Sequence, residues 1–377
     1  MTRFEAFNIF RFITVIIIIL FHLNFSPNIN YKNIAFHIPL IFFDGPDIVT
    51  FFFVLSGFVM TISYYERGNS LLLDRNYWLN RISRIYPVYL LALLLTIIAF
   101  GISQFDFALI LNIFLLQAWF PQYVMAYNGP AWFLSVEVFF YAIFPIILYY
   151  IKKQNYKPYH MIFISLFLWL ITQITLIILI NSSLYEGVAG SFWHEFIYHS
   201  PLPHLCSFLI GMAGGYFIIK KQDFLNLPKY ISYGFFILII LGGPYIIGHQ
   251  GVFRQLTGLS IPFAASFFSP LFLLLILSIV MINNTFLAKI LSNRLFLILG
   301  ASSYALYILQ QPMHKLLYQS IFPFSGISEE KKVLIFLILE IILSIIAFYT
   351  IEIPGKMILK NLFQEKTRTK SWWKFWE

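Results

Sequence analysis

Apolar runs of about 20 residues recur along the whole chain and are separated by short polar segments. An α-helix needs a run of this length to cross the hydrocarbon core of a bilayer. The pattern therefore predicts an all-α fold, a polytopic bundle of about ten transmembrane helices. The predicted spans are residues 7–25, 45–65, 86–103, 131–151, 161–181, 202–219, 230–247, 261–282, 296–318 and 333–352.

The charged residues are few, and their positions indicate how the bundle is oriented. Of the 377 residues, 60% are hydrophobic and 11% are charged, whereas about a quarter of the residues in a soluble protein are charged. If the N-terminus is cytoplasmic, nineteen of the 25 Lys and Arg residues fall in predicted inside segments and five in outside segments. This bias predicts that both termini are cytoplasmic. The net charge of +9 is then a topology signal, and nucleic acid is not predicted as a partner.

Two units are predicted along the chain. Residues 1–355 form an integral membrane domain, and residues 356–377 form a basic, Trp-rich cytoplasmic tail suited to contact with anionic membrane lipid.

The first apolar run is not predicted to be a cleaved signal peptide, because no small-residue cleavage site follows it. The stretch FALILNIFLLQAWF within residues 104–130 predicts an interfacial or half-inserted helix. The single cysteine, Cys206, excludes an intramolecular disulfide and a cysteine-based metal cage.

Arg11 and His22 lie inside the first apolar run, where a span would be expected to carry neither. Eleven helical residues make about three turns and rise about 16 Å, so both side chains project from nearly the same side at different depths. Ionisable groups at such depths are usually retained for function or for a buried partner. His22 is either a proton acceptor or a core histidine bonded across helices. Arg11, taken alone, is a snorkelling residue at the interface.

Two further features of the chain could belong to the same site. Arg81 and Arg84 stand three residues apart before the third predicted span, which places both guanidinium groups on one helical face. They are either topology charges or an arginine cluster for phosphate, whose oxygens match the guanidinium fork. Glu137 lies within the fourth span and requires a partner or a proton. It is either half of a structural salt bridge or a group that orients the histidine.

Other polar residues receive weaker assignments. Asp44 and Asp47 flank the start of the second span and are expected to cap its helix. His194, Glu195, His199 and His204 form a loose outer group, and the spacing of HEFIYH is one residue too long for the zinc-binding helix pattern. We expect no metal site there, and interpret the group as polar residues that line an entrance to the site.

Six motifs follow one another along the chain. They are Arg11 with His22 after ten residues, FFFVLSGFVM (51–60), RISRIYPVY (81–89), WFLSVEVFFYAIFP (132–145), CSFLIGMAGGY (206–216) and GASSYALYILQQP (300–312). Together they resemble the membrane-bound acyltransferase 3 family, the O-acyltransferases of bacterial surface polysaccharides. The resemblance covers almost the whole chain. The chain departs from the family pattern at Gln310, where members commonly have His, and at Thr50, where Asp is frequent. Gln310 keeps its hydrogen-bonding ability but cannot titrate.

The resemblance implies an enzyme of the bacterial cytoplasmic (inner) membrane that moves an acyl group, acetyl above all, from cytoplasmic acetyl-CoA to a hydroxyl of a polysaccharide or lipid-linked saccharide. It implies no metal. Proteins of polysaccharide biosynthesis are expected partners. The extracytoplasmic hydrolase-like domain that some family members carry is not found in the sequence, so the membrane part is expected to complete the transfer itself or to hand the acyl group to a separate partner. Under this resemblance the predicted roles are catalysis for His22 and Glu137, donor binding for Arg11, Arg81 and Arg84, and lining of the substrate cavity for Trp132, Ser135 and Tyr304.

Two questions stay open at the level of the sequence. His22 can act as a general base on the acceptor hydroxyl, or carry the acyl group itself. The alternative function is a transporter or flippase of a lipid-linked saccharide, with Arg11, His22 and Glu137 along a proton or substrate path.

Overall fold

The computed structural model describes residues 5–23, 45–67, 74–101, 106–282, 285–319, 326 and 328–363. Within these ranges the regular elements are helices and no strand occurs, which confirms the all-α prediction. The helices are α1 (Phe7–Leu23), α2 (Gly45–Tyr64), α3 (Arg75–Phe100), α4 (Phe107–Ile113), α5 (Trp132–Gln154), α6 (Pro158–Ile180), α7 (Phe192–His199), α8 (Pro201–Lys220), α9 (Lys229–Gly248), α10 (Gln250–Thr257), α11 (Ser269–Met281), α12 (Phe286–Leu291), α13 (Arg294–Met313), α14 (Glu329–Ala347) and α15 (Ile353–Phe363).

Each of the ten predicted spans contains a helix, so the chain is a multi-pass membrane protein. Seven helical segments of the described chain are long and apolar enough to cross a bilayer. The helices α1 and α11 are apolar but shorter. Helix α13 has 20 residues but carries several Ser and Gln residues, and it is not among the seven.

Some predicted boundaries were wrong, each for a local reason. Helix α3 begins eleven residues before the predicted membrane span, because the Asp74 side chain accepts a hydrogen bond of 2.9 Å from the Asn76 N–H and caps the helix. Helix α11 begins only at Ser269, with Pro270 in its first turn, where a proline is tolerated. The predicted interfacial helix is limited to the seven residues of α4, and short 3₁₀ turns follow it.

Helices α2 and α8 form the centre of the bundle. The most apolar stretch of α2 is 72% buried inside the bundle, and so is that of the segment that contains α8. The corresponding stretch of α6 is only 17% buried, so α6 is peripheral. The two central helices approach closely because Gly57 faces the Phe208 carbonyl oxygen and Gly211 faces the Val54 carbonyl oxygen, so that a Cβ at either glycine would overlap main chain. Small residues at helix contacts are a common packing device in membranes, where apolar burial drives association weakly.

Helix α1 packs against α13 by the same device. A Cβ at Gly300 would overlap Asn8, so α13 touches α1 near the start of both helices. Towards their other ends, His22 contacts Gln310. The two helices therefore run in the same direction, and the glycine contact sets the separation at which the polar residues meet.

Candidate active site

Helix α1 places two polar groups in two different surroundings. Arg11 is in its second turn and His22 is in its last turn. The helix rise separates them by about 16 Å along the axis. Each group is the starting point of a separate cluster of side chains, one at each end of the helix.

The first cluster joins α1 to α3 and α5. Arg11 interacts electrostatically with Arg84 and Glu137, and Glu137 also interacts with Arg81. We call Arg11, Arg81 and Arg84 the arginine cluster. In the described part of the chain, the ion pair within 4.0 Å joins Glu195 to His199. None of the three guanidinium groups therefore has a carboxylate within that distance among the described residues.

Aromatic rings hold one member of the arginine cluster in place. The Arg81 guanidinium carbon lies 5.0 Å from the centre of the Tyr64 ring and 5.3 Å from that of Tyr141, within the range of a cation–π contact. Its buried Nε atom has no hydrogen-bond partner among the described residues. Arg84 is exposed. The cluster therefore has unused donors and is accessible to an anion.

The second cluster is a hydrogen-bonded pair on α1 and α13. His22 Nδ1 lies 2.7 Å from Oε1 of Gln310. The Gln310 Nε2 amide group donates to the Tyr307 carbonyl oxygen, also at 2.7 Å. Gln310 is only 3% exposed, so water does not compete strongly for either bond.

These two bonds determine which nitrogen of His22 carries the proton. A glutamine side chain has one acceptor oxygen and one donor nitrogen. Because the nitrogen is engaged by the Tyr307 carbonyl, the oxygen faces the imidazole, and Nδ1 is the donor; this tautomer is assigned from the hydrogen-bond network. The lone pair then resides on Nε2. His22 is exposed, so Nε2 can accept a proton from a bound molecule.

A cavity of about 620 Å³ adjoins this pair. It is largely apolar, with polar groups at a few points of its wall. Its polar and aromatic lining includes His22, Trp132, His194, Glu195, Tyr198, His199, Tyr307, Gln310, Gln311 and His314, and Met125 is among its apolar residues. Apolar walls with a few convergent polar groups are typical of small-molecule sites.

The wall contributed by α7 carries a carboxylate–histidine pair. Glu195 Oε2 lies 2.6 Å from His199 Nδ1, and Glu195 Oε1 accepts a 2.7 Å hydrogen bond from the Gly190 N–H. The His199 ring packs edge-on against Trp132 at 4.9 Å between centroids. His204 is buried and is not part of the lining. Its two ring nitrogens contact the Ser266 hydroxyl and the Tyr198 carbonyl oxygen.

Three predicted site residues are placed differently from our expectation. The partner of the His22 imidazole is Gln310, whereas Glu137 accepts a 3.0 Å hydrogen bond from Tyr141 and belongs with the arginine cluster. The Ser135 hydroxyl is buried and accepts the Ala118 N–H at 3.2 Å, so it secures a loop. The Tyr304 hydroxyl donates to the Ile85 carbonyl at 2.7 Å, which ties α13 to α3.

A sequence profile of the acyltransferase domain matches residues 4–353. This chain belongs to the acyltransferase 3 family. The match includes both clusters and the cavity.

Several curated proteins are similar to this family member. The O-acetyltransferase OatA of Staphylococcus aureus is 26% identical over 289 residues, which cover 70% of this chain and 45% of that protein. A putative O-acetyltransferase of S. aureus strain COL is 25% identical over 68% of this chain and 44% of its own length. Acyltransferase MdmB of Streptomyces mycarofaciens is 31% identical over 27% of this chain and 28% of its own length. The chain thus spans less than half the length of these relatives. No solved structure showed significant similarity to it.

The acyltransferase motifs identified the first cluster but not the composition of the second. Met125, Gln311 and His314 line the cavity. Met125 and His314 lie outside the six motifs, and Gln311 is part of the last motif but was not assigned to the site. Asp47 is buried in the first turn of α2, whereas Asp44 lies outside the described residues. In the described part of the chain no three His, Cys, Asp or Glu side chains form a group that could hold a metal ion.

Proposed function

We propose that this chain is an O-acyltransferase of the bacterial cytoplasmic membrane, which transfers acetyl from cytoplasmic acetyl-CoA to a hydroxyl of an exported or cell-surface polysaccharide. One observation carries the proposal. A single helix bears a histidine whose Nε2 has no hydrogen-bond partner among the described residues and which lines a cavity, and it also bears an arginine of an accessible cationic cluster. The similarity to S. aureus proteins named as O-acetyltransferases supports O-acetyl transfer.

The arginine cluster suits the phosphates of the donor. Among the described residues, no carboxylate lies within 4.0 Å of these three guanidinium groups. They therefore require a counter-charge, and arginine forks pair well with phosphate oxygens. Glu137 would limit the repulsion among these cations rather than orient the histidine. A pantetheine arm is about as long as the interval from Arg11 to His22, by helix rise, so it can carry the thioester to the cavity.

His22 is the proposed general base. Its Nε2 takes the proton of the acceptor hydroxyl while the hydroxyl oxygen attacks the thioester carbonyl. The carbon–sulfur bond breaks, the acetyl group remains on the oxygen, and the imidazolium returns its proton to the departing sulfur. Gln310 holds the reactive tautomer throughout, as the carboxylate does in a catalytic triad, although a neutral amide stabilises the imidazolium less than a carboxylate would.

The cavity wall formed by α7 and Trp132 is the proposed acceptor side. The Glu195–His199 pair offers hydrogen-bonding groups to sugar hydroxyls opposite His22. The Lys and Arg distribution supports a cytoplasmic position for the arginine cluster and an extracytoplasmic position for this wall. Polysaccharide biosynthesis proteins would deliver the acceptor.

The test is acetyl transfer by the purified full chain in vesicles, with labelled acetyl-CoA and the cell's own surface glycan as acceptor. His22→Ala is expected to abolish transfer of label, whereas His160→Ala, at an exposed histidine of α6, is expected to retain it. Full transfer by His22→Ala would refute the mechanism. Movement of a lipid-linked saccharide in the absence of any acyl-CoA would instead support the transporter alternative.

A further inference from the structure

Helix α15 brings two lysines to the arginine cluster. Lys356 and Lys360 are four residues apart in this helix and therefore share one face. Lys356 interacts electrostatically with Lys360, Arg84, Arg81 and Glu352. Neither lysine was assigned to a site by the sequence, where they were counted as topology charges in the tail.

A close helix contact brings α15 into this position. A Cβ at Gly355 would lie 2.6 Å from the Pro87 Cβ, so α15 approaches α3 as closely as two helices can at this point. Pro87 follows Arg84 by three residues, and Lys356 follows Gly355 directly. The contact therefore determines that the lysines and the arginines share one region.

The charges in this region do not balance. Five cations interact there, namely Arg11, Arg81, Arg84, Lys356 and Lys360, against the two carboxylates Glu137 and Glu352. None of the five forms an ion pair within 4.0 Å in the described ranges. Like charges held together at partly buried positions repel one another, and bound anions would remove this repulsion.

The two lysines differ from ordinary topology charges. Lys153, Lys157 and Lys289 are exposed to solvent, as positive-inside residues usually are. Lys356 and Lys360 are only partly exposed and lie near other cations. This is an unfavourable arrangement for residues whose only function is to mark the cytoplasmic side.

We propose that Lys356 and Lys360 bind a phosphomonoester of the acyl donor, the 3′-phosphate of its ribose, next to the diphosphate held by Arg81 and Arg84. Two lysines on one helix face can converge on a single dianion as point charges, whereas the guanidinium fork suits the diphosphate. This inference rests on the proposed function and adds a second phosphate subsite to it.

The test compares two probes on the purified full chain in neutral detergent. Calorimetry measures the affinity for CoA and for 3′-dephospho-CoA, which lacks only the ribose phosphate. The unmodified chain should bind CoA about tenfold or more tightly than the dephospho compound, as charge-assisted hydrogen bonds imply. Lys356→Gln with Lys360→Gln should reduce CoA affinity to that of the dephospho compound and leave the latter unchanged. Unchanged binding of 3′-dephospho-CoA also shows that the variant is folded. Lys289→Gln is the matched control and should alter neither affinity.

The possible outcomes separate this inference from the function on which it rests. If CoA binds the unmodified chain and the double variant equally well, the lysine subsite is refuted and the donor assignment stands. If CoA affinity is unchanged while binding to vesicles that contain phosphatidylglycerol is lost, the lysines bind lipid headgroups and the inference is wrong. If the unmodified chain binds neither CoA nor its dephospho form, the donor assignment fails, and this subsite fails with it.

Discussion

Gln310 determines which nitrogen of His22 is basic, and this assignment can be tested with a single substitution. Gln310→Leu keeps most of the side-chain volume but removes the oxygen that accepts from His22 Nδ1 at 2.7 Å. The imidazole can then carry its proton on either nitrogen and can rotate. We expect the turnover number to fall, because only a fraction of the molecules present an unprotonated Nε2 to the acceptor.

The size of the effect follows from the burial of Gln310, which is only 3% exposed. In Gln310→Leu the Nδ1 donor of His22 would face an apolar side chain, and the loss of such a hydrogen bond costs about 1–3 kcal/mol. If this cost appears in the transition state, kcat falls about 5-fold to about 150-fold. The KM for acetyl-CoA should not change, because the arginine cluster lies about 16 Å along α1 from this pair.

The assay is the initial rate of acetyl transfer in proteoliposomes over a range of acetyl-CoA concentrations. Gln310→Glu keeps an oxygen acceptor and should retain more turnover than Gln310→Leu. The matched control is Gln173→Leu, at a buried glutamine whose amide donates to the Ala265 carbonyl at 3.0 Å; it should reduce thermal stability without lowering kcat. Equal turnover in Gln310→Leu and the unmodified chain would refute the proposed role of the pair.

Three further predictions concern the surroundings of the site. Glu195→Gln removes the charge that holds His199 and should raise the KM for the acceptor several-fold with little change in CoA binding measured by calorimetry; an unchanged acceptor KM would contradict the acceptor-side assignment. Ser135→Ala removes the acceptor of the Ala118 N–H and should lower the stability of the fold, followed in a thermal melt, by about 1–3 kcal/mol, with kcat retained. A large loss of kcat without loss of stability would show that Ser135 acts in the active site. Gly300→Leu places a side chain where Asn8 lies and should lower the melting temperature and the transfer rate together. The control is Gly234→Leu, at a glycine with open space around it, which should be tolerated. Normal activity in Gly300→Leu would show that the α1–α13 contact is dispensable.

The membrane bundle and the pair of Arg81 and Arg84 within the arginine cluster could be predicted from sequence because each rests on local pattern. Runs of apolar residues predict spans directly, and Arg81 and Arg84 are only three residues apart. The start of α3 could not be placed in the same way, because hydropathy alone does not reveal that Asp74 caps a helix through polar residues before the apolar run.

The composition of the active site was harder to predict because it depends on distant parts of the chain. Glu137 was expected beside His22 since both are polar groups in apolar spans, yet the fold directs it to Tyr141 and the arginines. Gln310 is 288 residues from His22 in sequence. The sequence showed only that a Gln, which cannot titrate, stands where family members commonly have His. The packing of α13 on α1 makes this Gln a neutral hydrogen-bond acceptor for His22.

The position of Arg11 and His22 on one unbroken helix has a consequence for which changes the chain can accommodate. One inserted residue between them would turn the imidazole by 100° and lengthen the interval by 1.5 Å, so that His22 would leave Gln310 even if every side chain were kept. A deletion would do the same in the opposite sense. The residues from Phe12 to Phe21 can therefore change in identity over evolutionary time, but their number is constrained by the rotation and the rise of the helix that contains them.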